Sequence, residues 1–332
     1  MRRPSSLRVV GAVPIVISVL VFAAPAVAGT TTASTHDGAK HGSAHNSRVI
    51  SVDMTTDGGF ALPASVHAGL VTFRVTAADG TFHAFQGFSL NPGATLERAL
   101  ADYDETLSGE PSRVAAGTRA LARDVTQVGG VATSTGAAQE VTIPLEKGIY
   151  YFMDLDDVGV VAPRVHGLRV KGGGFKASPT CSRGTSRARA MTCCAARSRS
   201  PRRCLEYSAR FEAAMVDNQP RFTGPTTIAH DATFLAVVTG DQAQQFVFRP
   251  VRPGITDEYI TTFYDAIKNG TRPPQSPWTG LPTGLQTLSP GRYAIMHLDL
   301  PPGPYALISY APSDESGFPH GWEGMHQIVT LN

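Results

Sequence analysis

The feature that most constrains this chain is that it repeats itself. VTFRVTAADGTFHAFQGFSLNPGATLERALADYDETLSG and TFLAVVTGDQAQQFVFRPVRPGITDEYITTFYDAIKNG carry the same order of apolar runs, turn residues and a closing helical pattern. Phe73 matches Phe234, Phe85 matches Phe246, Pro92-Gly93 matches Pro253-Gly254 and Tyr103-Asp104 matches Tyr264-Asp265, each 161 residues further on. Beyond the helical pattern, VTIPLEKGIYYFMDL matches MHLDLPPGPYALISY. There Leu145, Gly148 and Tyr150 fall on Leu300, Gly303 and Tyr305 at a spacing of 155, and His166 matches His326 at 160. So many ordered matches imply a duplicated domain.

Each copy reads as strands with one helix inserted. Val71, Phe73 and Val75 alternate with Thr72, Arg74 and Thr76, the period of a half-buried strand. Thr95 and Thr256 stand where helix N-caps belong, followed by Glu97 in one copy and Asp257 and Glu258 in the other. Leu96, Leu100 and Tyr103, like Ile260 and Tyr264, recur at helical spacing, which predicts helices over 95–107 and 256–268. Asn269-Gly270 suits a helix stop. With Gly 33, Pro 24 and many Val, Thr and Phe, the expectation is an all-β chain: two tandem β-sandwiches of six or seven strands, each with an inserted helix.

The first 28 residues read as a cleaved secretory signal: Arg2, Arg3 and Arg8, then an apolar run from Val9 to Ala24, then the small residues Ala26-Val27-Ala28. The run is short for a bilayer of ~30 Å and no charged stop follows it. No second segment is long enough to span, so the expected mature chain is secreted, without a transmembrane segment. Residues 29–47 hold no large apolar residue and form the expected flexible leader, with His36, His41 and His45 as loose metal catchers or as solvated tail residues. A net charge of +2 gives no pointer to nucleic acid.

Between the copies, placed at 48–172 and 206–332, lies an odd segment, 173–205. It holds all four cysteines (Cys181, Cys193, Cys194 and Cys204) and seven arginines, and lacks helical or strand periodicity. It fits a disulfide-closed linker, a basic patch for anionic surfaces, or out-of-frame sequence of the Arg-, Ser-, Ala-, Cys- and Pro-rich kind that GC-rich coding DNA gives. No Cys-x-x-Cys pair supports a zinc or thioredoxin-type reading.

The end of the second copy, GPYALISYAPSDESGFPHGWEGMHQIVTL, resembles the closing strand–loop–strand of cupredoxins, the blue-copper fold. Gly303, Tyr305, Pro319-His320 and Gly324-Met325 stand in that family's places. The resemblance covers both repeats in outline and implies Greek-key sandwiches with a copper site.

A type 1 copper site takes two histidines and a thiolate in a plane with a weak axial Met. Where the family has Cys, this chain has Asp154 in the first copy and Ser309 in the second. The family's first His corresponds to His83 in copy one and to Gln244 or Gln245 in copy two. Copy one thus keeps His83 and His166; copy two keeps His320, Met325 and His326. As candidate metal residues these are His83, His320, Met325 and His326, with copper as the ion they suit. Each also has a plain alternative: Met325 as core, His320 as a loop residue bonding backbone, His83 as solvent-facing because it alternates with Phe82.

No Gly-x-Ser-x-Gly elbow, His-Glu-x-x-His helix or phosphate loop is present. Asp154, Asp156 and Asp157 lack the spacing of a calcium loop. Trp278 and Trp322 suit loop anchors, or stacking on a sugar or protein. No catalytic residue is assigned. The expected function is non-catalytic binding of a ligand or cell-surface partner, with copper binding or electron transfer through a degenerate site as the alternative.

Overall fold

The structure is a computed structural model. It describes residues 48–56, 59–134, 137–156, 164–173, 175, 191–195, 203–216 and 219–332. The signal segment, the histidine-bearing leader, Asp157 and Cys181 lie outside the described residues.

The first copy runs β1 (Arg48–Met54), β2 (Ser65–His67), β3 (Gly69–Ala77), β4 (His83–Leu90), α1 (Leu96–Thr106), α2 (Pro111–Asp124), β5 (Val125–Thr133), β6 (Gln139–Leu145), β7 (Gly148–Asp154) and β8 (His166–Lys171). A hairpin follows, β9 (Met191–Ala195) with β10 (Arg203–Tyr207), which places Cys204 opposite Cys194. The segment's sequence carries no strand alternation, so this hairpin is a correction to its reading. The second copy runs β11 (Ala209–Val216), β12 (Gln219–Thr223), β13 (Thr227–Ile228), β14 (Thr233–Val238), β15 (Gln244–Pro250), α3 (Asp257–Lys268), β16 (Thr283–Leu288), β17 (Tyr293–His297), β18 (Gly303–Ile308) and β19 (His326–Leu331).

The duplication holds at the level of side chains. Thr95 accepts from the Arg98 N–H and Thr256 from the Tyr259 N–H, so both expected caps form. The turn before each helix puts Gly93 at φ 84° and Gly254 at φ 81°, a left-handed conformation that costs glycine least. In the first copy the Tyr150 hydroxyl accepts from the Glu146 N–H at 3.1 Å; in the second Tyr305 donates to the Pro301 carbonyl at 2.9 Å. Proline has no N–H, so the second tyrosine bonds the carbonyl instead. Strand register corrects one match: Phe152 faces His166 while its counterpart Leu307 faces Gln327, so His166 corresponds to Gln327 and not to His326.

One helix sets the copies apart. Helix α2 occurs only in the first, and it occupies the stretch where the repeat spacing drops from 161 to 155. It packs through Leu121 with Ala99 and Tyr103 of α1 on Phe88 and Met153 of the sheet. In the second copy α3 covers the sheet alone, through Ile260 and Tyr264 against Val247, Ala306 and Ile308.

The copies share their sheets. One seven-stranded sheet runs β1-β3-β6-β17-β14-β11-β12, and a ten-stranded sheet runs β13-β19-β18-β15-β16-β5-β4-β7-β8-β2. The joins are β6 to β17 and β5 to β16, both antiparallel. At each join a residue faces its own repeat counterpart: Val141 faces Met296, and Val131 faces Leu285. That self-pairing is the mark of a local two-fold axis, the geometry of an isologous dimer held within one chain. The two sheets enclose one apolar core through both copies, with Phe73, Phe85, Phe211, Phe234, Phe246 and Phe248 all fully buried. Gln86 pins the join. Its side-chain amide donates to the carbonyls of Gly87 at 2.7 Å and Thr287 at 3.1 Å and accepts from the Thr287 N–H at 3.0 Å.

Candidate functional site

The positions that carry copper ligands in the resembling family fall at the strand ends of the larger sheet, and the two copies treat them in opposite ways. In copy one, His83 opens β4 and Asp154 closes the adjacent β7. His83 is buried rather than solvent-facing, at 4% exposure, which corrects the reading from its alternation with Phe82. Its Nδ1 lies 2.6 Å from Asp154 Oδ2, and its Nε2 lies 3.0 Å from Asp79 Oδ1. Asp154 also accepts from the N–H groups of Ala84 at 2.8 Å and Asp156 at 3.1 Å. Burial alone would strip the imidazole of its proton, but the bonds to Asp154 and Asp79 outweigh it and raise the His83 pKa. Turn bonds from Thr81 and the contact with His83 overcome burial and hold Asp79 at about 2.

This arrangement does not fit a metal. Two donors on one ion, each about 2.1 Å from it, stand more than ~3 Å apart. His83 and Asp154 are hydrogen-bonded to each other, and the other ring nitrogen faces a second carboxylate. His166 packs tilted against Phe60, with centroids 4.1 Å apart and its Nε2 unpaired, and is not joined to His83 by any bond or ring contact among the described residues. Burial and Arg164 lower its pKa.

In copy two, Gln244 opens β15 in the place of His83, and Ser309 follows β18 in the place of Asp154. Ser309 accepts the Gln245 N–H at 3.1 Å. His320 begins a 3₁₀ turn, His320–Glu323, fixed by backbone bonds from its own N–H to Ala311 and from the Met325 N–H to its carbonyl. Its side chain is buried at 2% exposure, yet neither ring nitrogen has a hydrogen-bond partner. The nearest carboxylate oxygen, of Glu323, is 3.7 Å from Nδ1, beyond hydrogen-bonding distance. Burial drives the His320 pKa down to about 4, so the ring is neutral at neutral pH with a free lone pair.

His320 lines one pocket with Gln244 and Met325, whose side chains are also buried. The Gln244 Oε1 has no partner either. The β11–β12 hairpin contributes Met215 and Pro220, and the β14–β15 turn contributes Asp241 and Gln242. Imidazole, thioether and amide oxygen are donors that copper accepts, and both unbonded polar groups are the kind a bound ion would satisfy, so the residues fit one. They do not make a blue site, since Ser309 supplies no thiolate. Among the described residues no set of three or more His, Cys, Asp or Glu side chains is grouped to hold a metal.

His326 does not join this pocket. It follows Met325 as the first residue of β19, and its side chain turns away from the pocket. It meets α3, with Nδ1 3.0 Å from Asp257 Oδ1 and Nε2 3.2 Å from Thr261 Oγ1. The three-residue cluster expected from sequence is thereby split. Both tryptophans anchor loops: Trp322 stacks on Tyr264 and Phe318, and Trp278 packs beside Tyr264 under the Arg249 guanidinium.

The loop leading to His320 rests on the first copy. Gly317, at φ 75°, lies so close to α2 that a Cβ there would sit 1.9 Å from the Pro111 carbonyl oxygen. Arg119 of α2 donates to the Asp314 carbonyl, and Gln242 accepts the Asp314 N–H at 3.0 Å. Sequence reasoning missed Asp79 as the second partner of His83, although Asp79-Gly80-Thr81 reads as a turn four residues before it. It also missed Met215, which no motif marks.

No protein-family model and no curated protein matches this chain. Among solved structures, auracyanin B shares 15% identity over 37% of this chain and 86% of its own, at a TM-score of 0.22. A multicopper oxidase shares 10% over 86% of this chain and 89% of its own, at 0.22. A copper nitrite reductase from Nitrosomonas europaea shares 11% over 86% and 93%, at 0.21. The chain's own strand order and repeat register give a duplicated, cupredoxin-like β-sandwich.

Proposed function

We propose that this chain is an exported, non-catalytic binding protein of cupredoxin-like fold in which copy one is a closed scaffold and copy two holds a single ligand site. The observation that carries this reading is His320. A buried polar group is nearly always hydrogen-bonded, and one left unpaired costs about 1–3 kcal/mol. Here both ring nitrogens are unpaired beside a second unpaired acceptor, Gln244 Oε1. In copy one the group that stands in the place of Gln244, His83, is bonded through both ring nitrogens, to Asp154 and Asp79. The difference supports a site kept open for an occupant.

Copper binding at the same pocket is the second reading, favoured by Met325 next to a neutral imidazole. Ring-nitrogen NMR of His320 in the purified mature chain, titrated with copper(I), copper(II) and zinc(II) and paired with native mass spectrometry for a co-purified small molecule, tests both. A retained ligand or an ion that shifts the His320 resonances, and is lost in His320→Ala, supports the site. Full occupancy in His320→Ala overturns it.

A further inference from the structure

Strand β11 overshoots its counterpart. In copy one, β1 ends at Met54, opposite Ala77 of β3. The matching pair in copy two is Ala213 opposite Val238 of β14, yet β11 continues to Val216 and turns back as β12, with Met215 opposite Pro220. The extension brings Met215 to the pocket that holds His320 and Met325.

Met215 is 47% exposed, one of the few large apolar side chains in the described residues left so open. It therefore contributes little to the core. Its place on the pocket wall gives a role that packing does not. We infer that Met215 is a third donor at this pocket, forming with His320 and Met325 an imidazole–bis-thioether site for monovalent copper; the inference rests on the reading of this pocket as the binding site.

The donor chemistry selects the ion. Thioethers are soft donors that favour copper(I), whereas zinc, magnesium and calcium prefer nitrogen or oxygen sets. A monovalent cation is also the least costly to bring among the apolar walls of Ala213, Ala214 and Pro220, because desolvation grows with charge. Asp241, on the same wall, offers one negative charge to balance one positive charge. The three donors differ in access. His320 and Met325 are buried, while Met215 stands at the mouth on a two-stranded hairpin at the sheet edge. An ion arriving from outside meets Met215 before the inner pair.

The test uses the mature chain, anaerobic copper(I) and a chromophoric copper(I) chelator as competitor, together with X-ray absorption at the copper edge. The expected result is a one-nitrogen, two-sulfur shell, an affinity at least tenfold weaker in Met215→Leu with one sulfur lost, and no competition from zinc(II). Leucine keeps the size and apolarity of an exposed position, so folding is unaffected. Copper(I) binding that needs His320 but is unchanged, in affinity and sulfur count, by Met215→Leu overturns this inference and leaves the pocket reading standing. Binding that persists in His320→Ala, or no copper(I) binding by the mature chain, overturns the inference; persistence in His320→Ala also removes the pocket reading.

Discussion

His83 and Asp154 close on each other, Nδ1 to Oδ2 at 2.6 Å, at the two strand ends where the resembling family holds a copper ion between a histidine and a cysteine. A hydrogen bond between a buried imidazole and a buried carboxylate joins those strand ends in the first copy. At the matching strand ends of the second copy, Gln244 and Ser309 form no such bond to each other.

Removing Asp154 should be far more damaging than removing Ser309. Asp154→Ala strands a buried imidazole and the Ala84 N–H, and breaking one side of a buried pair costs about 3–5 kcal/mol. Ser309→Ala loses one bond to the Gln245 N–H, about 1 kcal/mol. Urea unfolding of the two variants checks the ranking; equal losses would show that the His83 pair is not structural.

Acid should act through His320. Its folded pKa of about 4 lies below the ordinary 6.5, so the unfolded chain takes up a proton first as pH falls. Stability on the order of 3 kcal/mol is present above 6.5 and lost between 6.5 and 4. His320→Phe should flatten that window relative to the wild type. His83 works in the other direction: its raised pKa means its contribution is full below 6.5 and is lost as pH rises through the folded value.

Gln86→Ala should lower stability by about 2–4 kcal/mol, because it leaves the buried Thr287 N–H and carbonyl at the join without their partner. Since the core runs through both copies, calorimetry should still show one transition at a lower temperature. Two separated transitions would mean that the copies fold independently.

The mature chain should show no intense blue absorption with copper(II), because neither Asp154 nor Ser309 can provide the sulfur-to-copper charge transfer. Asp154→Cys should not gain such a band, with His83 Nε2 turned to Asp79 and His166 against Phe60. Optical titration checks both; a band in the wild type would refute the ligand assignment.

Gly317→Ala should weaken whatever binds at His320 without unfolding the chain. An added methyl must displace the loop from the Pro111 carbonyl, and that loop leads to His320 three residues later. Heteronuclear NMR should show shifts confined to residues around 313–325 and α2; shifts absent from His320 would break the link.

The sequence carried the duplication, both N-caps and the strand-end positions of the site, because each is written in local spacing. It did not carry what depends on partners far along the chain. His83 reads as exposed until Asp154, 71 residues later, is beside it. His326 reads as Met325's companion until its bonds to Asp257 and Thr261 place it against α3. Helix α2 hid because its buried face mixes Val114 and Leu121 with Ala115, Gly117 and the polar Asp124, which break up the apolar stripe. The shared sheets had no sequence signal, since β5 and β16 read as ordinary strands whichever neighbours they take.

The self-facing residues Val131 with Leu285 and Val141 with Met296 carry a consequence for any attempt to divide the molecule. A single copy expressed alone would bare β5 and β6, two open edges that the intact chain never exposes. Each edge already matches its own kind, so the separated halves should recombine as a homodimer with the parental symmetry, or, failing that, grow into aggregates by the same edges.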